Sequence, residues 1–86
     1  MRTTLLAQIQ CDINEIFREI LEIPSERSLD GLTMLNEPKW DSLAMVSIVA
    51  AIESKFNVML NSTDFDHMTS IASTYLMIIE KLGLEQ

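Results

Sequence analysis

The stretch Trp40-Asp41-Ser42-Leu43-Ala44-Met45-Val46-Ser47-Ile48-Val49-Ala50-Ala51-Ile52-Glu53-Ser54-Lys55-Phe56 decides the reading of this chain. Asp41 is an N-cap residue type standing directly before Ser42 and Leu43, and Asn57 tolerates the conformation that ends a helix. Between these two signals the apolar residues form two stripes. Met45, Ile48, Val49, Ile52 and Phe56 recur in steps of three and four, the spacing of a core-facing side. Leu43, Val46 and Ala50, joined by Ser47 and Ser54, lie on a different side. A helix apolar nearly all round is either deeply buried or turned toward a partner. In a chain of 86 residues burying every face is geometrically hard, which favours the partner.

Upstream, Leu5, Leu6, Ile9, Ile13, Ile16, Phe17 and Ile20 describe one stripe of an amphipathic helix that Thr3 or Thr4 can cap and that stops near Leu21. Pro24 disfavours helix in the residue before it, and Ser25, Ser28, Asp30 and Gly31 follow. The connection from Glu22 to Trp40 is long for so small a chain, and Leu29, Leu32, Met34 and Leu35 are the residues expected to pin it. Downstream, Asn61-Ser62-Thr63-Asp64 supplies caps for a short helix through Phe65 to His67 or Met68. Thr69 or Ser70 then caps a last helix that ends at Leu82 and Gly83, with Ile71, Tyr75, Ile78, Ile79 and Leu82 on one face. No segment alternates as a strand does. The expected fold is all-α: three main helices and one short one, in a bundle with a long first loop.

Composition narrows the functional classes. The 86 residues form one small domain, expected to span 1–86, with 6 Lys and Arg against 13 Asp and Glu and a formal charge of -7. So short a chain has little to spare for enclosing a deep catalytic cavity, and its acidity opposes nucleic acid and anionic membranes while suiting basic proteins. One cysteine, Cys11, and one histidine, His67, make neither a disulfide framework nor a structural zinc site. No span reaches the roughly 20 apolar residues that cross a bilayer, and no secretory signal follows the N-terminal Met1-Arg2-Thr3-Thr4, so no membrane insertion and a cytoplasmic, monomeric protein are expected.

The residues offer little catalysis. His67 falls among cap residues and reads as a solvent-facing side chain, Cys11 as a small filler on the flank of the first helix. Asp64 and Asp66 lack the glycine and terminal glutamate of a calcium loop. Asp41-Ser42-Leu43 alone is an ordinary helix start. Its first turn nevertheless carries unpaired N–H groups and the positive end of the helix dipole, so a phosphate on Ser42 is electrostatically favoured there.

With its surroundings the motif says more. The amphipathic first helix, the long loop, Asp41-Ser42-Leu43, the run Val49-Ala50-Ala51-Ile52-Glu53-Ser54-Lys55-Phe56, the short helix over Thr63 to His67 and Met68-Thr69-Ser70-Ile71 resemble an acyl carrier protein. That family is the four-helix, phosphopantetheine-bearing domain of fatty-acid, polyketide and related thiotemplate pathways, and the likeness covers nearly the whole chain. The resemblance implies an acyl-carrier-like four-helix bundle with Ser42 linked through a phosphodiester to 4'-phosphopantetheine, whose thiol carries cargo as a thioester. It implies that Asp41 and Leu43 are recognised by the phosphopantetheinyl transferase. It also implies that Leu43, Val46, Ser47, Ala50 and Ser54 dock successive enzymes: the transferase, an acyl- or aminoacyl-activating ligase, and a downstream synthase or transferase. Such a protein is a tethered substrate, not an enzyme, and the tether raises local cargo concentration without tight docking.

Three departures from the fatty-acid carriers shape the expectation. From Asp41 to Phe56 the only charges are Asp41, Glu53 and Lys55, which points to partners with a less charged, partly apolar patch. Phe65 and Tyr75 stand where small or aliphatic residues line the chain site, which points to short or polar cargo such as a small hydroxy acid, a short acyl group or an amino acid. Pro38-Lys39-Trp40 before the motif looks more like discrete carriers of specialised-metabolite or surface-polysaccharide clusters, with Trp40 anchoring the loop. An aminoacyl carrier of the peptidyl or D-alanyl type shares the same Ser42, and an unmodified helical adaptor needs no Ser42 chemistry at all.

Overall fold

In a computed structural model, which describes the backbone of residues 2–84 and the side chains of residues 5–84, the chain forms α1 (Arg2–Leu21), α2 (Ser42–Phe56), α3 (Ser62–Asp66) and α4 (Ile71–Lys81). Helix α1 packs against both α2 and α4. It contributes Ile9, Ile13, Phe17 and Leu21 to the core, α2 adds Ile48 and Ile52, and α4 adds Ile71, Met77, Ile78 and Ile79. These are the helical spacings of the sequence made physical: residues three and four apart share a side, and that side turns inward.

Local chemistry sets the helix starts. Asp41, Asn61 and Ser70 are N-caps in extended conformation, accepting from the backbone N–H groups of Ala44, Asp64 and Ser73. Asn61 with Asp64 and Ser70 with Ser73 close reciprocal capping boxes. The ends share a second device. Glu22, Asn57 and Gly83 take positive φ just past α1, α2 and α4, and the next N–H reaches back to Arg18, Glu53 and Ile79 respectively. Only Gly83 does this without steric cost.

Four expectations need correction. Helix α1 begins at Arg2 and already contains Thr3 and Thr4, so neither caps it. Leu5 is half exposed, at the end of the stripe where Leu6 beside it is the residue packed against the core. Helix α3 stops at Asp66, with His67 as its exposed C-cap. Leu35 does not pin the long connection but is wholly exposed.

The pins that do hold are Ile23, Leu29, Leu32 and Trp40, all buried, with Met34 at the edge of the core. Backbone bonds add to them: Met34 N–H donates to the Thr69 carbonyl at 2.9 Å and Ile71 N–H to the Leu32 carbonyl at 3.3 Å, around a bridge between Thr33 and Ser70. The loop is thereby tied to the start of α4, which sends its last residues, 37 to 41, back toward α2.

Candidate functional site

Ser42 is the first residue of α2 and is exposed. Directly before it, Asp41 holds the helix start through two contacts: its Oδ1 accepts from Ala44 N–H at 2.9 Å and its carbonyl from Met45 N–H at 2.9 Å. The Ser42 hydroxyl therefore stands at the positive end of a fifteen-residue helix, where a phosphodiester is stabilised by the dipole and the first-turn N–H groups.

One residue further back, Trp40 is buried against Phe17, ring centroids 4.7 Å apart and planes tilted by 58°. Its indole Nε1 has no hydrogen-bond partner. The anchoring role expected of Trp40 is what the structure shows. A second anchor lies in the preceding turn, where the Glu37 carboxylate, only 4% exposed, accepts from Arg27 Nη1 at 2.8 Å and from Lys39 N–H at 3.0 Å. The Lys39 N–H holds the Glu37 carboxyl below its ordinary range against the opposing effect of burial, and the Arg27 guanidinium adds to the lowering.

Beside Ser42 opens an apolar cleft of about 390 Å³, lined by Met34, Ser42, Met45, Val46, Val49 and Phe65. Three elements make it: the long loop, α2 and α3. Of the two bulky residues expected at a cargo site, only Phe65 lines this cleft. Tyr75 is half-buried on α4 at the fringe of the core and is not part of that wall. Met34, expected only to pin the loop, is a further wall residue. The outer stripe of α2 is exposed as a continuous face, Leu43 at 79% and Val46 at 67%, with Ser47, Ala50 and Ser54 alongside.

Helix α3 buries none of its residues. Asp64 ties it to α4 through Lys81 Nζ at 2.7 Å. Burial pushes the Asp64 carboxyl up, but the Lys81 hydrogen bond and the Asn61 N–H outweigh it and leave it lowered. Asp64 is thus spent on structure, and among the described residues no cluster of His, Cys, Asp and Glu could hold a metal ion. Cys11 is exposed on α1, away from this end of α2 in the chain.

The comparisons with known proteins meet this geometry. A family model described as a phosphopantetheine attachment site matches residues 11–78, from within α1 to within α4. The chain belongs to the phosphopantetheine-binding acyl carrier family. Among relatives of this carrier, an acyl carrier protein of Cyanidium caldarium is 30% identical over 71 residues, 83% of this chain and 83% of the relative. "Polyketide-8 synthase acyl carrier protein 2" of Streptomyces avermitilis is 25% identical over 81 residues, 94% of this chain and 93% of the relative. An acyl carrier protein of Buchnera aphidicola is 27% identical over 63 residues, 73% and 80% of the two chains. No solved structure matches the carrier. Its prosthetic group is covalently attached 4'-phosphopantetheine, and the chain's own residues suit it: an exposed hydroxyl at a helix start, opening on an apolar cleft.

Proposed function

We propose that Ser42 is the attachment serine and that the carrier ferries short acyl groups between the enzymes of a fatty-acid or polyketide type of pathway. The observation that carries this reading is the exposure of Ser42 on the first turn of α2, at the mouth of the cleft. When attached, the phosphopantetheine supplies the thiol that holds cargo as a thioester. What the chain supplies is placement: Asp41 and Trp40 fix the hydroxyl, the α2 dipole favours the phosphodiester, and the cleft shelters an apolar group beside it.

Asp41 and Leu43 flank Ser42 and serve recognition by the transferase. Leu43, Val46, Ser47, Ala50 and Ser54 dock the loading ligase and the downstream synthase through a face with no charge between Asp41 and Glu53. The cleft lining offers an amino or hydroxyl group no polar partner beyond Ser42 itself, which favours acyl over aminoacyl cargo. The exposed thiol of Cys11 suits a reducing cytoplasm.

Incubation with coenzyme A and a broad-specificity transferase, followed by tryptic mapping, tests the site. Cleavage after Lys39 and Lys55 yields a peptide of residues 40–55 that contains Ser42, Ser47 and Ser54. Fragmentation should put the added mass on Ser42; its appearance on either other serine contradicts the reading.

A further inference from the structure

Glu37 is the buried charged side chain among the described residues, and it sits five positions before Ser42. Both carboxylate oxygens are engaged, Oε1 by Arg27 and Oε2 by the Lys39 N–H. Its backbone carbonyl accepts from Trp40 N–H at 3.1 Å, closing a tight turn in which Pro38 takes the second position. Arg27 is itself seated, since Arg18 Nη1 donates to the carbonyls of Pro24 and Arg27 at 2.7 and 2.9 Å. Glu37, Arg27 and Arg18 in relay therefore join the end of α1, the middle of the long loop and the turn that feeds α2.

An ion pair whose Glu37 side is buried while its Arg27 side is 46% exposed is a poor route to stability, because water screens the attraction while the carboxylate still bears its desolvation cost. What such a pair supplies is a unique geometry. Between Arg27 and Trp40 the backbone is tied to the start of α4 at Leu32 and Met34, and past those ties residues 37 to 39 are held by the Glu37 carboxylate and the turn it belongs to rather than by a helix.

We propose that Glu37 is a positioning residue for the modification of Ser42, its buried carboxylate fixing the turn that presents Trp40-Asp41-Ser42 to the transferase in one register. The inference rests on Ser42 being the attachment serine. Without the carboxylate the chain still folds but samples several arrangements of this turn, of which a fraction is competent. Substrate whose competent form is only a fraction of the total has its apparent affinity reduced by that fraction, while turnover from the bound complex is unchanged. The transferase KM for the carrier therefore rises and kcat does not.

The experiment compares wild type, Glu37→Met, Glu37→Gln and Ser42→Ala as transferase substrates, with circular dichroism of each. Glu37→Met should keep wild-type helicity and show about a tenfold higher KM at unchanged kcat. Glu37→Gln keeps an oxygen to accept the Lys39 N–H but turns its amide N–H groups toward Arg27, so it should restore the turn in part and fall between wild type and the Met variant, about threefold above the wild-type KM. If Glu37→Met does not fold, Glu37→Asp replaces it: one methylene shorter, it keeps the charge but cannot span both partners, and the same rise in KM is expected. A wild-type KM for the folded variant, or a Gln variant no better than Met, overturns the proposal. Modification of Ser42→Ala overturns instead the assignment of the serine on which it rests.

Discussion

The rings of Trp40 and Phe17 meet at 4.7 Å with their planes tilted by 58°, joining the residue two before Ser42 to the C-terminal part of α1. This contact fastens the start of α2 to the core, and it is made by a side chain that leaves its own Nε1–H unpaired in the interior. Trp40→Ala should cost about 3–5 kcal/mol in denaturant unfolding. Trp40→Phe keeps a ring and removes the orphaned donor, whose burial is itself costly, and should lose less than half as much. Equal losses for the two variants contradict the anchoring account.

Acid should unfold the carrier in a way set by two carboxylates. Glu37 and Asp64 both have pKa values lowered in the folded chain, so the folded state binds fewer protons than the unfolded one. Their stabilisation is complete above about pH 4.5 and is lost as pH falls through the folded values. Urea midpoints should accordingly drop below about pH 4.5 in wild type and flatten in Glu37→Gln/Asp64→Asn. An unchanged slope in that double variant contradicts the assignment.

Docking through an uncharged face makes a different prediction. The affinity of the modified carrier for its synthase should change little between low and moderate salt, because no charge of α2 lies between Asp41 and Glu53. Val46→Asp, on a side chain 67% exposed, should weaken binding by about tenfold with no change in unfolding. A steep salt dependence for wild type contradicts an apolar docking face.

Cargo length can be read from heat stability. A short acyl group that enters the cleft by Phe65 should stabilise the fold by about 1 kcal/mol, a Tm rise of about 4–8 °C for a domain of this size. A long acyl chain should add nothing further, since the enclosed length is used up. Continued stabilisation with chain length contradicts the preference for short cargo.

Much of this architecture is legible in the sequence because it is local. The caps Asp41, Asn61 and Ser70 and the two stripes of α2 follow from neighbours within a turn or two. Leu35 misleads because an apolar residue in a loop carries no period to say which way it faces, and the backbone ties at Met34 and Ile71 decide that instead. Glu37 is invisible to any apolar pattern, and its ion partner Arg27 lies ten residues away; only Pro38 beside it hints at a turn. The cleft joins three elements, so its walls at Met34 and Phe65, and the absence of Tyr75 from them, become readable only once the fold brings them together.

The intact mass of wild type and Ser42→Ala, after incubation with coenzyme A and a broad-specificity phosphopantetheinyl transferase, tests the central claim most directly. Wild type should gain the mass of one phosphopantetheine and Ser42→Ala none. An equal gain in both, or no gain in folded, initially unmodified wild type with several transferases, contradicts the assignment of Ser42 as the residue that carries the arm.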